Sequence, residues 1–379
     1  MPGEAPGPVS PASLIPRTPG GLVGRAAETA AIRRMLDGQR LVTVTGLPGV
    51  GKTAVSLEVA AAAAANFADG AVLVRLDTLR DEALLPHSIL AALRLPDRFT
   101  RRPLEVLVDQ LHDRHMLIVF DTCEHLLGAC AALTAALLPP CAKVQILATS
   151  REPLRVPGES TLSIRPLRLR DAMTLFSQRM AGNGLVAGNG PAAGNGPAAG
   201  PEDRADVASI CLQLDKLPLA IELATGPRPP GSSLSRLLSA VEADYDVLRD
   251  PGNPVTRHQS LRAAIGWSHE LCTPAERLLW ARLSVFTGPF GLRDAHDVCT
   301  TSQLPDQAVT VGLTLLTERS VLLADARTDG GVSYLLPVTL RGYGQQMLRR
   351  LAEDAEFQDR YQRWQQHGQW RSRGTPAVP

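Results

Sequence analysis

The chain has 379 residues, which is enough for two or three domains with separate cores. Its formal net charge is +1 at pH 7, so bulk charge identifies no partner, and nucleic-acid binding would require a local basic patch. No apolar run reaches the ~18 residues of a membrane-spanning helix, and the N-terminus lacks the basic and then apolar pattern of a signal peptide. The six scattered cysteines form no CxxC pair, which favours buried, reduced thiols in a cytoplasmic protein.

The first predicted element follows a Pro/Gly-rich lead-in. Residues 1–19 carry too little apolar surface to fold and are predicted to be disordered. The segment Leu22-Val23-Gly24-Arg25 comes next, and a helical pattern runs from Ala26 to Leu36.

A phosphate-binding pattern lies at residues 41–53, LVTVTGLPGVGKT. A short buried strand is predicted over 41–45, the GxxxxGKT loop follows at once, and an Ala-rich helix is predicted over 54–65. Glycines let successive backbone N–H groups turn toward phosphate oxygens, and a helix N-terminus adds partial positive charge. Lys52 is expected to reach the β- and γ-phosphates, and the Thr53 hydroxyl is expected to hold Mg²⁺. The predicted cofactor-binding residues of this loop are Gly46, Pro48, Gly49, Val50, Gly51, Lys52 and Thr53.

Three further buried strands are predicted after this loop, at residues 70–77, 115–121 and 143–149, with helices near 83–93 and 104–114. Strands that alternate with helices favour a parallel sheet covered by helices on both faces. The fold class predicted for residues 20–165 is therefore an α/β P-loop NTPase domain.

Three candidate catalytic residues follow the second and third of these strands. Asp121 ends an apolar strand, where it is either a Mg²⁺ ligand at the edge of the sheet or a helix cap. Glu124 could polarise an attacking water or could be an acid at the start of a helix. Arg151 follows a strand end and is either a sensor of the γ-phosphate or a surface arginine.

Two smaller domains are predicted after the nucleotide domain. Residues 166–249 have helical patterns, interrupted at 181–201 by a flexible Gly/Ala/Asn/Pro insert and continued by a helix that starts with Pro218 near its first turn. Residues 250–355 predict three helices, a hairpin at 321–336 and a last helix, which together suggest a winged helix. The polar residues 356–379 are predicted to be a frayed tail.

Taken together and in order, these motifs resemble the NB-ARC-type STAND ATPases of actinobacterial regulators, which commonly sit beside SARP-type or LuxR-type DNA-binding domains. The motifs are VGR, GLPGVGKT, LIVFDTCEHLL, ILATSREPL, KLPLAIELA and RHQSLRAAIGWSHELCTPAERLLWARLSVF, and they cover about residues 20–355. The resemblance implies a nucleotide-binding domain, a helical domain and a winged helix that close around ADP or ATP with Mg²⁺.

The resemblance also implies roles for single residues. The backbone near Val23 and Arg25 would meet the adenine, Asp121 would be the Walker B acid, Arg151 the sensor, and Pro218 would pack near the nucleoside. Three departures stand out: Thr122 occupies a position that is usually Asn, TGPRPPGSS replaces a segment that is usually helical, and YLLPVTLRGYG contains no His. No DNA-binding region precedes residue 20 and no repeat array follows residue 355, so we expect either a truncated relative or an output through a partner chain.

The leading hypothesis is a nucleotide-dependent switch with slow ATP hydrolysis, in transcriptional control. ADP would hold the domains closed, and exchange to ATP would open them for assembly with itself or a protein partner. The alternatives are a dedicated P-loop ATPase or kinase, a DNA-binding protein that uses its winged helix, and a remnant that binds nucleotide but does not signal. The helix over 308–319 has a single basic residue, Arg319, so direct DNA binding is not expected from this unit.

Overall fold

The computed structural model describes residues 15–16, 21–95, 101–182, 201–226, 233–243, 247–252, 259–328 and 330–373. The chain divides into two compact units at Arg165 and Pro166. Most of the lead-in over 1–19 and of the insert over 181–201 lies outside the described residues.

The first unit contains a five-stranded parallel sheet in the order β2-β3-β4-β1-β5. Its elements, in chain order, are α1 (Ala26–Gly38), β1 (Leu41–Gly46), α2 (Lys52–Ala63), β2 (Ala71–Arg75), α3 (Leu85–Ala92), α4 (Pro103–Leu111), β3 (Met116–Asp121), α5 (Leu127–Leu137), β4 (Val144–Thr149) and β5 (Glu159–Ile164). The parallel sheet and the four strands predicted from apolar runs are confirmed. The sequence pattern does not predict strand β5, and it gives no bounds for helix α5.

Helices cover both faces of this sheet because alternate residues of each strand point to opposite sides. On one face, Ile118 and Phe120 of β3 join a buried cluster with side chains of α3, α4 and α5. Helix α2 packs against β1, β2, β3 and β4, and α1 packs against α2 and β1. Strand β3 is buried along its whole length, so its Asp121 is carried to the carboxyl edge of the sheet on a rigid support.

The second unit is helical apart from one hairpin. Its elements, in chain order, are α6 (Leu169–Gly182), α7 (Pro201–Gln213), α8 (Pro218–Ala224), α9 (Leu234–Ala243), α10 (Leu261–Glu270), α11 (Pro274–Leu283), α12 (Leu292–Cys299), α13 (Asp306–Glu318), β6 (Leu323–Ala326), β7 (Val332–Leu335), α14 (Val338–Arg350) and α15 (Asp354–Arg373). Strands β6 and β7 are antiparallel, as the sequence predicts. The assignment of residues 250–355 to a winged helix stays a prediction.

Helix α11 begins as its sequence predicts. The Thr273 hydroxyl accepts from the Glu276 backbone N–H at 3.4 Å, and the Glu276 carboxylate accepts from the Thr273 N–H at 2.6 Å. This reciprocal pair is a capping box, and Pro274 occupies the first helical position.

The C-terminal stretch differs from the expected frayed tail. Residues Asp354–Arg373 form helix α15, and Phe357 is fully buried beneath the guanidinium of Arg282, whose carbon lies 4.5 Å from the ring centroid. The sequence does not predict this packing, because the few apolar residues of α15 are spread through a helix rich in Gln and Arg. None of the helices in the described part of the chain is both long and apolar enough to cross a membrane.

The cysteines agree with the sequence prediction. All six are buried, and none of them forms a disulfide. Burial raises the pKa of the Cys211 thiol and of the Cys299 thiol to about 12, so both stay protonated at neutral pH.

Candidate functional site

The glycine loop between β1 and α2 adopts a conformation that requires glycine at three positions. Gly46, Gly49 and Gly51 have φ values of 145°, 72° and 97°. A Cβ at Gly46 would lie 2.5 Å from the carbonyl oxygen of Ile164, so no other residue fits there without a shift of the backbone of β5. The loop is therefore shaped by its glycines into a turn that ends at the first residue of α2.

Lys52 opens helix α2 and lies across this loop. Its Nζ donates to the carbonyl oxygens of Gly46 at 2.8 Å and of Leu47 at 3.1 Å. The first turn of α2 contains no acidic residue, so no side chain of that turn offsets the partial positive charge of the helix N-terminus. An ammonium group and a helix N-terminus at one loop suit an anion such as a nucleotide phosphate.

Asp121 is the centre of a hydroxyl network at the carboxyl edge of the sheet. Its Oδ1 accepts from the Thr53 hydroxyl at 2.6 Å and from the Thr149 hydroxyl at 2.7 Å. The carboxylate is 6% exposed. The P-loop threonine and the acid that ends β3 thus meet, although 68 positions separate them in the chain.

These oxygen atoms fit a magnesium site. Mg²⁺ prefers hard oxygen ligands and is commonly bound through one or two carboxylates together with substrate phosphates. The Thr53 hydroxyl and the Asp121 carboxylate supply such oxygens beside the glycine loop. The donor set therefore suits the metal that the motifs predict at Thr53 and Asp121.

The loop after β3 is joined to the end of β4. The Thr122 N–H donates to the Thr149 hydroxyl at 2.8 Å, and the Cys123 N–H donates to the Thr149 carbonyl at 2.9 Å. Thr122 has a positive φ of 73°, an uncommon conformation for a β-branched residue. A hydrogen bond to Cys130 and burial raise the pKa of the Cys123 thiol well above its ordinary value.

Glu124 and Arg151 form an ion pair. The Arg151 Nε lies 3.2 Å from the Glu124 Oε1, and the two side chains are only 6% and 7% exposed. The sequence suggests a separate role for each residue and does not predict their contact. Burial argues against the interpretation of Arg151 as a surface arginine.

The segment before α1 reaches the glycine loop through Arg25. Its guanidinium donates to the carbonyl oxygens of Val50 and of Arg165, each at 2.8 Å, and to the carboxylate of Glu28 at 2.9 Å. Arg25 is only 4% exposed. Val23 lies two residues before Arg25, at a half-buried position.

The remaining predicted site residues are placed as follows. Pro48 and Val50 are buried in the glycine loop, and Pro218 is the first residue of α8 in the second unit. The sequence motifs do not single out Thr149, whose hydroxyl bridges Asp121 and the Thr122 backbone. A hydroxyl residue that directly ends a buried strand, one position before Ser150, was the signal that could have identified it.

Comparison with known proteins places this geometry in a family. The chain is 34% identical over 347 residues to the uncharacterized protein Rv0894 of Mycobacterium tuberculosis, which covers 91% of this chain and 85% of that protein. The chain belongs to the family of this mycobacterial protein. No protein-family model matches the sequence.

Longer proteins contain a related segment. The chain is 36% identical over 327 residues to the M. tuberculosis protein named "Putative HTH-type transcriptional regulator Rv0890c", across 86% of this chain and 35% of that protein. The chain thus spans about a third of the length of these curated relatives.

Among solved structures, the Walker-type ATPase PABY2304 of Pyrococcus abyssi is similar with a TM-score of 0.60 and 13% sequence identity. The similarity covers 88% of this chain and 99% of that one. This likeness shows that the chain has the fold of a P-loop ATPase.

Proposed function

We propose that this chain is an ATP- and ADP-binding regulatory switch of the NB-ARC type among STAND ATPases, with slow hydrolysis of ATP to ADP and phosphate, acting in transcriptional control. The observation that carries the proposal is the meeting of the Thr53 hydroxyl and the Asp121 carboxylate, 2.6 Å apart, beside a glycine loop. An anion-binding loop next to a pair of oxygen ligands suits a nucleotide with a magnesium ion.

Each residue of the site has a proposed role. Lys52 binds the β- and γ-phosphates as a point charge, and the N–H groups of the loop donate to phosphate oxygens. Thr53 and Asp121 hold Mg²⁺, which would neutralise charge on the phosphates. The Arg25 contact with Val50 holds the neighbouring backbone beside the loop, which supports contact of that backbone with the adenine.

Slow turnover is part of the proposal because no acid directly follows Asp121. Thr122 occupies that position, and the nearby Glu124 is buried in an ion pair. A general base must lie within hydrogen-bonding reach of the proton that it removes. We expect steady-state hydrolysis at about 10⁻² s⁻¹ or slower, below the ~1–100 s⁻¹ of typical kinases.

A role in transcription is proposed from the relatives. The longer M. tuberculosis relative is named an HTH-type transcriptional regulator, and this chain corresponds to about a third of it. We propose that the nucleotide state controls opening of the helical region 166–249 and of a winged helix over 250–355, and thereby assembly with a protein partner or with a second copy. The proposal includes contact of Pro218 with the nucleoside.

Direct DNA binding through helix α13 is not part of the proposal. The exposed positions of this helix include Asp306, Val311 and Thr314. Arg319, at its end, lies 3.3 Å from the Glu276 carboxylate. A helix that reads DNA needs basic side chains on its outer face, and α13 contains none between Asp306 and Glu318.

The experiment measures the nucleotide that co-purifies with the protein and the affinity for ADP with Mg²⁺. We expect tightly held ADP in the wild type and loss of about 100-fold or more in affinity in Lys52→Ala, because a charge-assisted phosphate contact is lost. Lys143→Ala is the matched control, since this lysine is exposed just before β4. An empty protein with brisk ATP turnover would overturn the switch in favour of a dedicated ATPase.

A further inference from the structure

The Glu124–Arg151 pair joins two residues to which the sequence assigns separate tasks. Its Nε–Oε1 distance is 3.2 Å, and both side chains are nine-tenths buried. A buried ion pair is stable only when both partners remain, because removing one leaves an uncompensated charge. The pair is therefore a fixed part of the site.

The backbone around the pair is equally fixed. Glu124 lies one residue after Cys123 and Arg151 two residues after Thr149, and the Cys123 N–H donates to the Thr149 carbonyl at 2.9 Å. On the other side, the Ser150 N–H donates to the carbonyl of Val44 in β1 at 3.0 Å. The loops after β3 and β4 are thus held to each other and to the strand that leads into the glycine loop.

This geometry is unsuited to a general base at Glu124. A base needs a carboxylate that can accept a proton from water, whereas the Glu124 carboxylate is held in a buried ion pair with a guanidinium. The contact uses the Nε of Arg151, the inner donor of the guanidinium, and an arginine has further N–H groups on its terminal nitrogens. A carboxylate bound at Nε fixes the plane and the direction of those terminal groups.

We propose that Glu124 is a positioning residue that orients the guanidinium of Arg151 toward the γ-phosphate of ATP. This inference rests on the proposed function, because it assigns a nucleotide-discriminating task to the same site. Arg151 then favours ATP over ADP, and Glu124 acts only through Arg151. Binding energy for the third phosphate depends on the pair as a unit.

The test uses the full chain and measures affinities for ADP and for adenosine 5′-[γ-thio]triphosphate, together with the single-turnover rate of ATP hydrolysis. We expect Arg151→Ala and Glu124→Ala each to weaken binding of the triphosphate by about 10- to 100-fold, the range of a lost charge-assisted hydrogen bond, and to change ADP binding by less than about threefold. Glu124→Gln should restore most of the loss, because an amide oxygen can still accept from Nε.

A double variant separates positioning from independent contributions. The double variant Glu124→Ala, Arg151→Ala should bind the triphosphate as weakly as Arg151→Ala alone, because Glu124 acts on the triphosphate only through the arginine. The double variant also leaves no buried charge without its partner, so it can still be interpreted if a single variant misfolds. Thermal melting checks that each protein is folded.

Two results would overturn the inference. In the first, Glu124→Gln lowers the hydrolysis rate by about 100-fold or more with triphosphate binding intact, which is the behaviour of a catalytic base. In the second, Glu124→Ala leaves the preference for triphosphate unchanged. A wild-type protein that binds neither ADP nor the triphosphate would instead overturn the proposed function itself, and the inference with it.

Discussion

The positive φ of Thr122 leads to a stability prediction that can be worked out from the structure. A β-branched residue at φ 73° is an outlier, and a non-glycine residue in the left-handed region costs about 1–2 kcal/mol. Asn tolerates this region better than other side chains, and Thr122 stands where the resembling family usually has Asn. Replacing Thr122 by Asn should raise the free energy of unfolding by about 1 kcal/mol, which is the relief of backbone strain minus the cost of losing the buried methyl group.

The assay monitors thermal unfolding of the full chain by calorimetry. The transition of the first unit, which contains the glycine loop, is identified by the shift of its midpoint when ADP is added. Relief of about 1 kcal/mol corresponds to a rise of about 2–4 °C for a unit of this size. Thr122→Val is the matched control, because it keeps the β-branch and the strain, loses the hydroxyl and should lower the transition. If Thr122→Asn and Thr122→Val destabilise equally, backbone strain at this position contributes nothing.

Four further predictions concern the second unit. Gly344→Val should lower the free energy of unfolding by about 2 kcal/mol or more in urea, because a Cβ there would lie 2.9 Å from the Cβ of Ser284, just after α11. Asp215→Ala should cost about 2–4 kcal/mol, and Asp215→Asn less, because the buried carboxylate accepts three hydrogen bonds of 2.6–2.8 Å at the start of α14. Arg282→Lys should cost about 3 kcal/mol, since lysine cannot replace the two 2.9 Å contacts with Glu353. Burial lowers the pKa of His269, so this side chain binds a proton more tightly in the unfolded chain than in the folded chain. The melting temperature should therefore fall as the pH drops below about 6.5, and it should fall less in His269→Gln.

The predictability of the fold follows from how much of each strand is buried. Strands β1, β3 and β4 are buried along almost their entire length, and they stand out in the sequence as apolar runs that end in a polar residue. Strand β5, ESTLSI, lies at the edge of the sheet and has mostly half-buried or exposed positions. Its sequence is rich in hydroxyl residues and contains no apolar run, so it predicts a strand only weakly. Helix α15 is missed for a similar reason, because only a few aromatic residues, among them Phe357 and Tyr361, dock an otherwise polar helix.

The site was predictable where one residue type has one local task. The glycines and Lys52 act within a single loop, so their spacing is enough to predict them. The tasks of Glu124, Thr149 and Arg151 depend on contacts between the ends of two strands, and spacing along the chain contains no information on such contacts. The sequence therefore places Glu124 and Arg151 near strand ends but considers each of them alone, and it does not single out Thr149.

The order of the strands in the sheet, which the sequence does not reveal, brings these separate residues together. Because β4 lies between β3 and β1, the residues that end β4 can contact Asp121 on one side and the strand before the glycine loop on the other. With β1 directly beside β3, Arg151 would lie one strand spacing, about 4.8 Å, further from Glu124, and the pair could not form. The sheet topology, rather than the motifs, thus determines that Glu124, which follows β3, and Arg151, which follows β4, meet at the carboxyl edge of the sheet.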